Sequence, residues 1–325
     1  MPMIESTRQV QLGCQTLVHT CAGLKADDKA LIISNPQTQS IGEAIEKEAR
    51  QISHSVKHEV IAPLAIHGQD PPAEIAAEML SAQVIFAVTK MSIAHSKASR
   101  QALQSGARFL SLPDYSIDVL VGGAMKADFQ SLSEEANRLA ELLTSGRELT
   151  LKTELGTDLY CDLDRRSANP APGWCWMPGT LASPPDAETN IAPIEEATSG
   201  VLVVDGSIPC PQIGLLSDPI SLTIESGRVT SVSGHRSREL LALFDSAGSD
   251  GARIIGEIGF GLNPLAKLSG QMLEDEGCRG TAHVGIGSNA TIGGMNDVPF
   301  HLDHVVRNVT AQVDGLQFMV GGKIL

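Results

Sequence analysis

Residues 82–106 read AQVIFAVTKMSIAHSKASRQALQSG, and the change of period inside them decides the fold of the first half of the chain. Ala82 to Thr89 is a short apolar run that reads as a strand, whereas Ser96 to Gly106 spaces its apolar residues three or four apart, as on one face of a helix. The same unit recurs on both sides. Upstream, Ala30 to Ser34 is followed by IGEAIEKEARQIS and His58 to Ala65 by PPAEIAAEMLS; downstream, Ala107 to Pro113 is followed by FQSLSEEANRLAELLTSG. Strand then helix, repeated four times, predicts a parallel α/β layer structure.

After Gly146 the texture changes. Short β-branched runs punctuated by Gly, Pro, Asp and Asn take over, among them ELTLKTELGTDLYCDL, GVLVVDGSIP, GTAHVGIGSN and HLDHVVRNVTAQVDG. SLTIE and RVTSV, separated by Ser226-Gly227, read as a β-hairpin, and SRELLALFDSAG as one intervening helix. The proline-rich segment from Ser167 to Pro193, with Trp174 and Trp176, reads as an irregular loop. The expected fold is an N-terminal parallel-sheet α/β domain over 1–147 and a C-terminal α+β, mainly β, domain over 148–325.

Composition narrows the function. The chain has 325 residues, a length that suits roughly two domains. Its 38 acidic and 24 basic residues give a net charge of −14, a field that repels phosphate backbones and anionic membranes. With aromatic residues at 3%, stacking on nucleobases is not favoured either, so no nucleic acid and no membrane is expected as a partner. The six cysteines are scattered without a C-x-x-C pair, no signal-peptide pattern opens the chain, and no apolar run reaches membrane-spanning length. A cytoplasmic protein with reduced thiols is expected.

Four segments could carry chemistry. In FHLDHVV (300–306), a strand would project His301 and Asp303 from one face and Leu302 and His304 from the other, so that an imidazole and a carboxylate could chelate one divalent ion. In GTAHVGIG (280–287), Gly285 and Gly287 share the face of His283 and leave a hollow beside it; a hydrogen-bonded core histidine is the competing reading. Glu257 lies in GEIGFGLNP (256–264), an apolar, glycine-flanked run, and a buried carboxylate there must be protonated or bound to a cation. Glu188 lies in DAETNIAPIE (186–195), where composition alone favours a surface acid.

The order of these segments is more specific than any one of them. E-x4-P-x-E (Glu188 to Glu195), G-E (Gly256, Glu257), H-x-x-x-G (His283 to Gly287) and H-x-D ahead of a V-D-G turn (His301, Asp303, Val313 to Gly315) together resemble the aminopeptidase T / aminopeptidase S family of metallo-aminopeptidases. That resemblance implies a C-terminal domain with two divalent ions, a homodimer, and Glu188, Glu257, His283, His301 and Asp303 as metal ligands. The chain also resembles a sister group on this fold, the 2,5-dihydroxypyridine 5,6-dioxygenases with a single non-haem Fe(II). It does so through I-G-x-G-L-x-P (Ile258 to Pro264), the Trp-rich Pro172 to Trp176, A-H-S (Ala94 to Ser96) and H-L-D followed by Arg307-Asn308. In the sister group a His stands where this chain has Glu257, and the positions of Glu188 and His283 are not ligands.

Because the acids here follow the peptidase pattern, the expected activity is that of a metal-dependent hydrolase removing N-terminal residues from short peptides. One or two Zn, Mn or Co ions would activate water, with Glu274 or Glu276 shuttling the proton and Glu276 taken as the catalytic choice. Three carboxylates with two neutral imidazoles carry −3, so a cation is implied under either resemblance. The alternative activity is ring cleavage by O2 at Fe(II) on a small-molecule substrate. His283, His301 and Asp303 would then hold the iron, or Glu257 would replace one imidazole, and His95, at a strand end, would be the base.

Overall fold

The computed structural model describes residues 2–325, with side chains from residue 7 onward. The chain forms two compact units, one of residues up to Gln130 together with Gly173–Pro185, the other of Ser131–Pro172 with Asp186–Leu325.

In the first unit α1 (Pro2–Gln15) runs into a π-helical turn (Thr16–Cys21). There follow β1 (Lys29–Ser34), α2 (Gln39–Ala49), β2 (Ser55–Val60), α3 (Ala73–Met79), β3 (Val84–Val88), α4 (Lys97–Gln104), β4 (Arg108–Ser111) and α5 (Ile117–Val121). The sheet order is β2-β1-β3-β4 with every pairing parallel, as the alternating apolar runs predict. All five residues of β3 are buried, because a central parallel strand has covered faces on both sides. The edge strand β2 begins and ends earlier than the predicted 58–65. Its residues are partly exposed and polar, so the apolar run beyond Val60 is not the paired segment. Ser96 caps α4 by accepting from Ser99 N at 3.1 Å. His58 ties β2 to β1 and α2, with Nε2 at 2.8 Å from Ser34 Oγ and Nδ1 at 3.2 Å from Glu46 Oε2.

α6 (Phe129–Ser145) leads into the second unit, which begins one helix before the change of sequence texture at Gly146. Next come β5 (Glu148–Lys152), β6 (Asp158–Asp162) and β7 (Asn169–Ala171). β8 (Leu181–Ala182) then pairs parallel with β4 in the first unit's sheet, and β9 (Glu188–Ile191) returns to the second unit. The segment predicted as an irregular loop therefore contributes three short strands. They are two to four residues long, set in a proline-rich segment, and too short to show a period.

The remaining elements are β10 (Ser199–Val204), β11 (Ser207–Ile208), β12 (Gly214–Leu215), β13 (Ile220–Glu225), β14 (Arg228–Gly234), α7 (Ser237–Ser246), β15 (Ile255–Gly261), α8 (Met272–Asp275), β16 (Thr281–Gly287), β17 (His301–Arg307), β18 (Thr310–Val313), β19 (Leu316–Val320) and β20 (Lys323–Ile324). They form an eight-stranded sheet, β14-β13-β10-β6-β5-β18-β19-β20, and a seven-stranded sheet, β12-β11-β17-β16-β15-β9-β7, so this unit is mainly β as expected. The predicted hairpin is β13–β14, where Ser226 and Gly227 both have positive φ, 49° and 73°, as a two-residue turn of that twist requires. Among the described residues no helix is long and apolar enough to cross a membrane.

Phe109 lies fully buried in the core beneath the parallel sheet, among Met79, Ile85 and Ala102. Phe109→Ala should lower the stability of the first unit by about 3–5 kcal/mol. Urea titration should register this as a lower midpoint at an unchanged m value.

Candidate metal centre

The seven-stranded sheet places functional side chains and glycines in alternation. In register, Glu188 of β9 faces Gly261, Asn190 and His283 face Gly259 from either side of β15, Glu257 and Asp303 face Gly285 from either side of β16, and His301 faces Gly287. Successive strand residues point to opposite faces, so these groups share one face of the sheet. The glycines make room for them. A Cβ on Gly259 would stand 2.0 Å from His283 Nε2, and one on Gly285 would stand 2.7 Å from His301 Cε1 and 2.8 Å from Glu257 Cβ. The hollow expected beside His283 is thus filled by neighbouring strands' own functional groups.

Two groups result. Glu188, Glu257 and His283 form one, Glu257, His301 and Asp303 the other; within each, one ligand atom per residue lies within 4.8 Å of the others. His283 Nε2 is 3.0 Å from Glu188 Oε2 and 3.8 Å from Glu257 Oε1. His301 Nε2 is 3.4 Å from Glu257 Oε2 and 3.2 Å from Asp303 Oδ1. Glu257 belongs to both. Its strand, like that of His283, is buried along its whole length, while the His301 side chain keeps 34% of its surface exposed.

All five residues expected as ligands are therefore brought together on one face. Of the two candidate proton shuttles, Glu276 reaches the cluster, hydrogen-bonded to Asp303. Glu274, in α8, instead accepts from Lys267 N and Ser269 Oγ of the preceding loop, both at 3.2 Å. His95 belongs to the first unit, exposed in the turn between β3 and α4. His304 points to the opposite face, its Nδ1 3.1 Å from Val284 O, as the strand reading predicts. The sequence reading missed Asp186. It is buried, raised in pKa by Glu188 and the other acids of the cluster, and its Oδ1 lacks a hydrogen-bond partner. Its signal was an alternation, D-x-E, of the same kind as the H-x-D that marked His301 and Asp303.

Electrostatics describe a site short of positive charge. Burial and the charge of Glu188 hold Asp186 well above the usual carboxylate range, and burial and Asp303 do the same to Glu276. Burial also raises Glu257, against the pull of His283 and His301. Burial would lower both imidazoles, but Glu188 and Glu257 hold His283 well above its ordinary value, and Asp303 and Glu257 push His301 up to about 10. Asp303 is held down by His301 despite its burial. Protons thus occupy places that a cation would fill, and an oxygen-and-imidazole donor set fits a divalent ion such as Fe(II), Mn or Zn.

A parallel α/β unit and a β-rich unit whose sheet presents a buried carboxylate–imidazole cluster define a protein equipped for a divalent cation. The chain belongs to the 2,5-dihydroxypyridine 5,6-dioxygenase family, whose model matches residues 21–325. The 2,5-dihydroxypyridine 5,6-dioxygenase of Pseudomonas putida KT2440 is 27% identical over 249 residues, covering 73% of this chain and 70% of that protein. A solved structure of 2,5-dihydroxypyridine dioxygenase from the same organism matches with a TM-score of 0.86 at 20% identity, over 98% of this chain and 97% of that one. Wild-type AmpT from Thermus thermophilus matches with a TM-score of 0.69 at 16% identity, over 98% and 99%. At such identities these two structures establish the fold.

The family assignment overturns the aminopeptidase-type hydrolase expected from the acidic motifs. The physical reason lies in what such motifs specify. Carboxylates and imidazoles on one face announce a cation, and a cation serves hydrolysis and oxygenation alike.

Two outcomes follow from this geometry. Asp186, Glu257, Glu276, His283 and His301 have raised folded-state pKa values, so their stabilising contributions are present in acid and are lost as pH rises through those values. For His301 the window runs from the ordinary 6.5 to about 10. Asp303 acts oppositely and loses its contribution only in acid. The Tm of metal-free protein should therefore fall between pH 6.5 and 10, and a saturating divalent ion should flatten that slope by displacing the protons; a flat metal-free profile would contradict this account. Separately, Gly259→Ala should displace the His283 ring and destabilise the second unit by about 1–3 kcal/mol, measured by thermal unfolding.

Proposed function

We propose that this protein is a ring-cleaving dioxygenase of the 2,5-dihydroxypyridine 5,6-dioxygenase type. It acts on a small dihydroxylated pyridine or a related hydroxylated ring, with one Fe(II) held by Glu257, His301 and Asp303. The observation that carries this reading is the grouping of those three ligand atoms on one face beside a partly open His301, in a chain of that family.

The imidazole of His301 is suited to the role. Its Nδ1 lies 2.8 Å from the carbonyl oxygen of Ser288, which can only accept, so in the neutral, metal-binding form Nδ1 keeps the proton and the Nε2 lone pair faces Glu257 and Asp303. The Nδ1 of His283 has no such partner. His283 Nε2 instead lies between the carboxylates of Glu188 and Glu257, which favour its protonated form over a ligand's free lone pair. The carboxylates of Glu188, Glu257 and Asp303 outnumber the imidazoles of His283 and His301, and a divalent ion would offset that excess of negative groups. Iron, when bound, would supply the one-electron chemistry that lets a closed-shell aromatic ring react with O2. The residues do the rest. Buried Glu257 and Asp303 fix two donor positions against the sheet, and the open side at His301 leaves space for the ring. The proton shared by Glu276 and Asp303 lies within one hydrogen bond of that donor set.

Anaerobic loading with Fe(II) followed by addition of 2,5-dihydroxypyridine in an oxygen electrode should give one O2 consumed per ring. His301→Ala and Asp303→Asn should each weaken Fe(II) binding and abolish O2 uptake. Iron-loaded protein that leaves O2 untouched with hydroxylated pyridines would overturn the reading.

A further inference from the structure

Glu195, the second acid of the E-x4-P-x-E motif, lies outside the metal cluster, yet the segment it holds leads directly to His301. We propose that Glu195 is a positioning residue for His301, acting through residues 288–300; the inference rests on His301 being a metal ligand.

Residues 288–300 join β16 to β17, two strands that carry site residues. Asn289 alone among them is buried, Met295 is exposed over 84% of its surface, and the aromatic contact of Phe300 with Phe244, at 5.8 Å, anchors only the last residue, so apolar packing does little to hold the rest of the segment. Hydrogen bonds hold it instead. One oxygen of Glu195 accepts from Asn289 Nδ2 at 2.9 Å and from Met295 N at 2.6 Å. The other accepts from Arg166, whose second guanidinium nitrogen reaches Gly293 O at 2.6 Å. Asn289 in turn binds Asn296 in both directions, Asn296 N to Asn289 Oδ1 and Asn289 N to Asn296 O, each at 2.9 Å. Asn296 Nδ2 then donates to Gly287 O at 2.7 Å and to Gly251 O at 2.8 Å.

Ser288 sits inside this frame. It is flanked by Gly287 and Asn289, and its own N donates to Phe300 O at 2.7 Å. Its carbonyl oxygen is the partner of His301 Nδ1. That bond sets the tautomer and the ring plane of His301, and hence the direction of the Nε2 lone pair. Outer partners of this kind change metal affinity by roughly 10–100-fold when removed. Glu195 and Arg166 are themselves largely buried, with side chains 16% and 10% exposed, and neither is a donor in the cluster, so their effect on the metal must pass through the segment they hold.

The test is a double-mutant cycle on the full-length protein, read as Fe(II) affinity by anaerobic competition with a chelator. Glu195→Ala should weaken Fe(II) binding by roughly 10–100-fold in the presence of His301, and by less than about twofold in a His301→Ala background. Because Glu195→Ala leaves Arg166 without its partner, Asn289→Ala is run in parallel; it cuts the link to Ser288, keeps the Arg166–Glu195 pair, and should give the same coupling. Equal losses in both backgrounds would mean a general effect on the fold and would overturn the proposal, as would unchanged affinity in the single variants. If His301→Ala alone left Fe(II) affinity intact, the ligand assignment itself would fall and the positioning role with it, an outcome distinct from the other two.

Discussion

A sheet that buries carboxylates and imidazoles between its neighbours has to provide volume before it can provide chemistry. In the seven-stranded sheet glycine provides it. Gly259, Gly261, Gly285 and Gly287 stand opposite His283, Glu188, Glu257 with Asp303, and His301. Glycine in a strand interior weakens the strand, through chain entropy and lost packing, by up to about 1 kcal/mol each. The strands offset this by burial: every residue of β15 and β16 is buried, and antiparallel partners flank both. The glycine spacing, the depth of the acids and the shortage of positive charge are consequences of one packing arrangement.

That arrangement explains which parts of the molecule could be read from the sequence. The parallel sheet was legible because β1, β3 and β4 lie in short, mostly apolar runs with amphipathic helices after them, an alternation that repeats four times. The candidate metal centre was legible where a short-range alternation showed itself, as with His301 and Asp303, or where an acid sat among apolar residues, as with Glu257. Asp186 and Glu188 have the same alternation, but they follow a cis Pro184-Pro185 bond in a stretch whose turn residues outweigh a strand signal. β8 is two residues long and acquires its meaning only from pairing with β4, which no local pattern encodes. The reaction class was not legible from the candidate ligands, since carboxylates and imidazoles grouped on one face suit a cation and leave open what it does.

The environment, more than residue type, separates a ligand from a core residue, and β17 makes the comparison within one strand. His301 and His304 each direct Nδ1 at a backbone carbonyl, Ser288 O and Val284 O, so both expose an Nε2 lone pair in the neutral form. On the face of His301, Asp303 and Glu257 outweigh burial and push its pKa up to about 10. On the other face His304 is fully buried and stacks on Phe244 at 6.2 Å; burial, only partly countered by Asp303, brings it down to about 4. Among the described residues the Nε2 of His304 finds no hydrogen-bond partner, and His304 belongs to neither carboxylate–imidazole group. In H-L-D-H, therefore, the strand period of two decides which imidazole meets the carboxylates, and the carboxylates decide which imidazole can hold a metal.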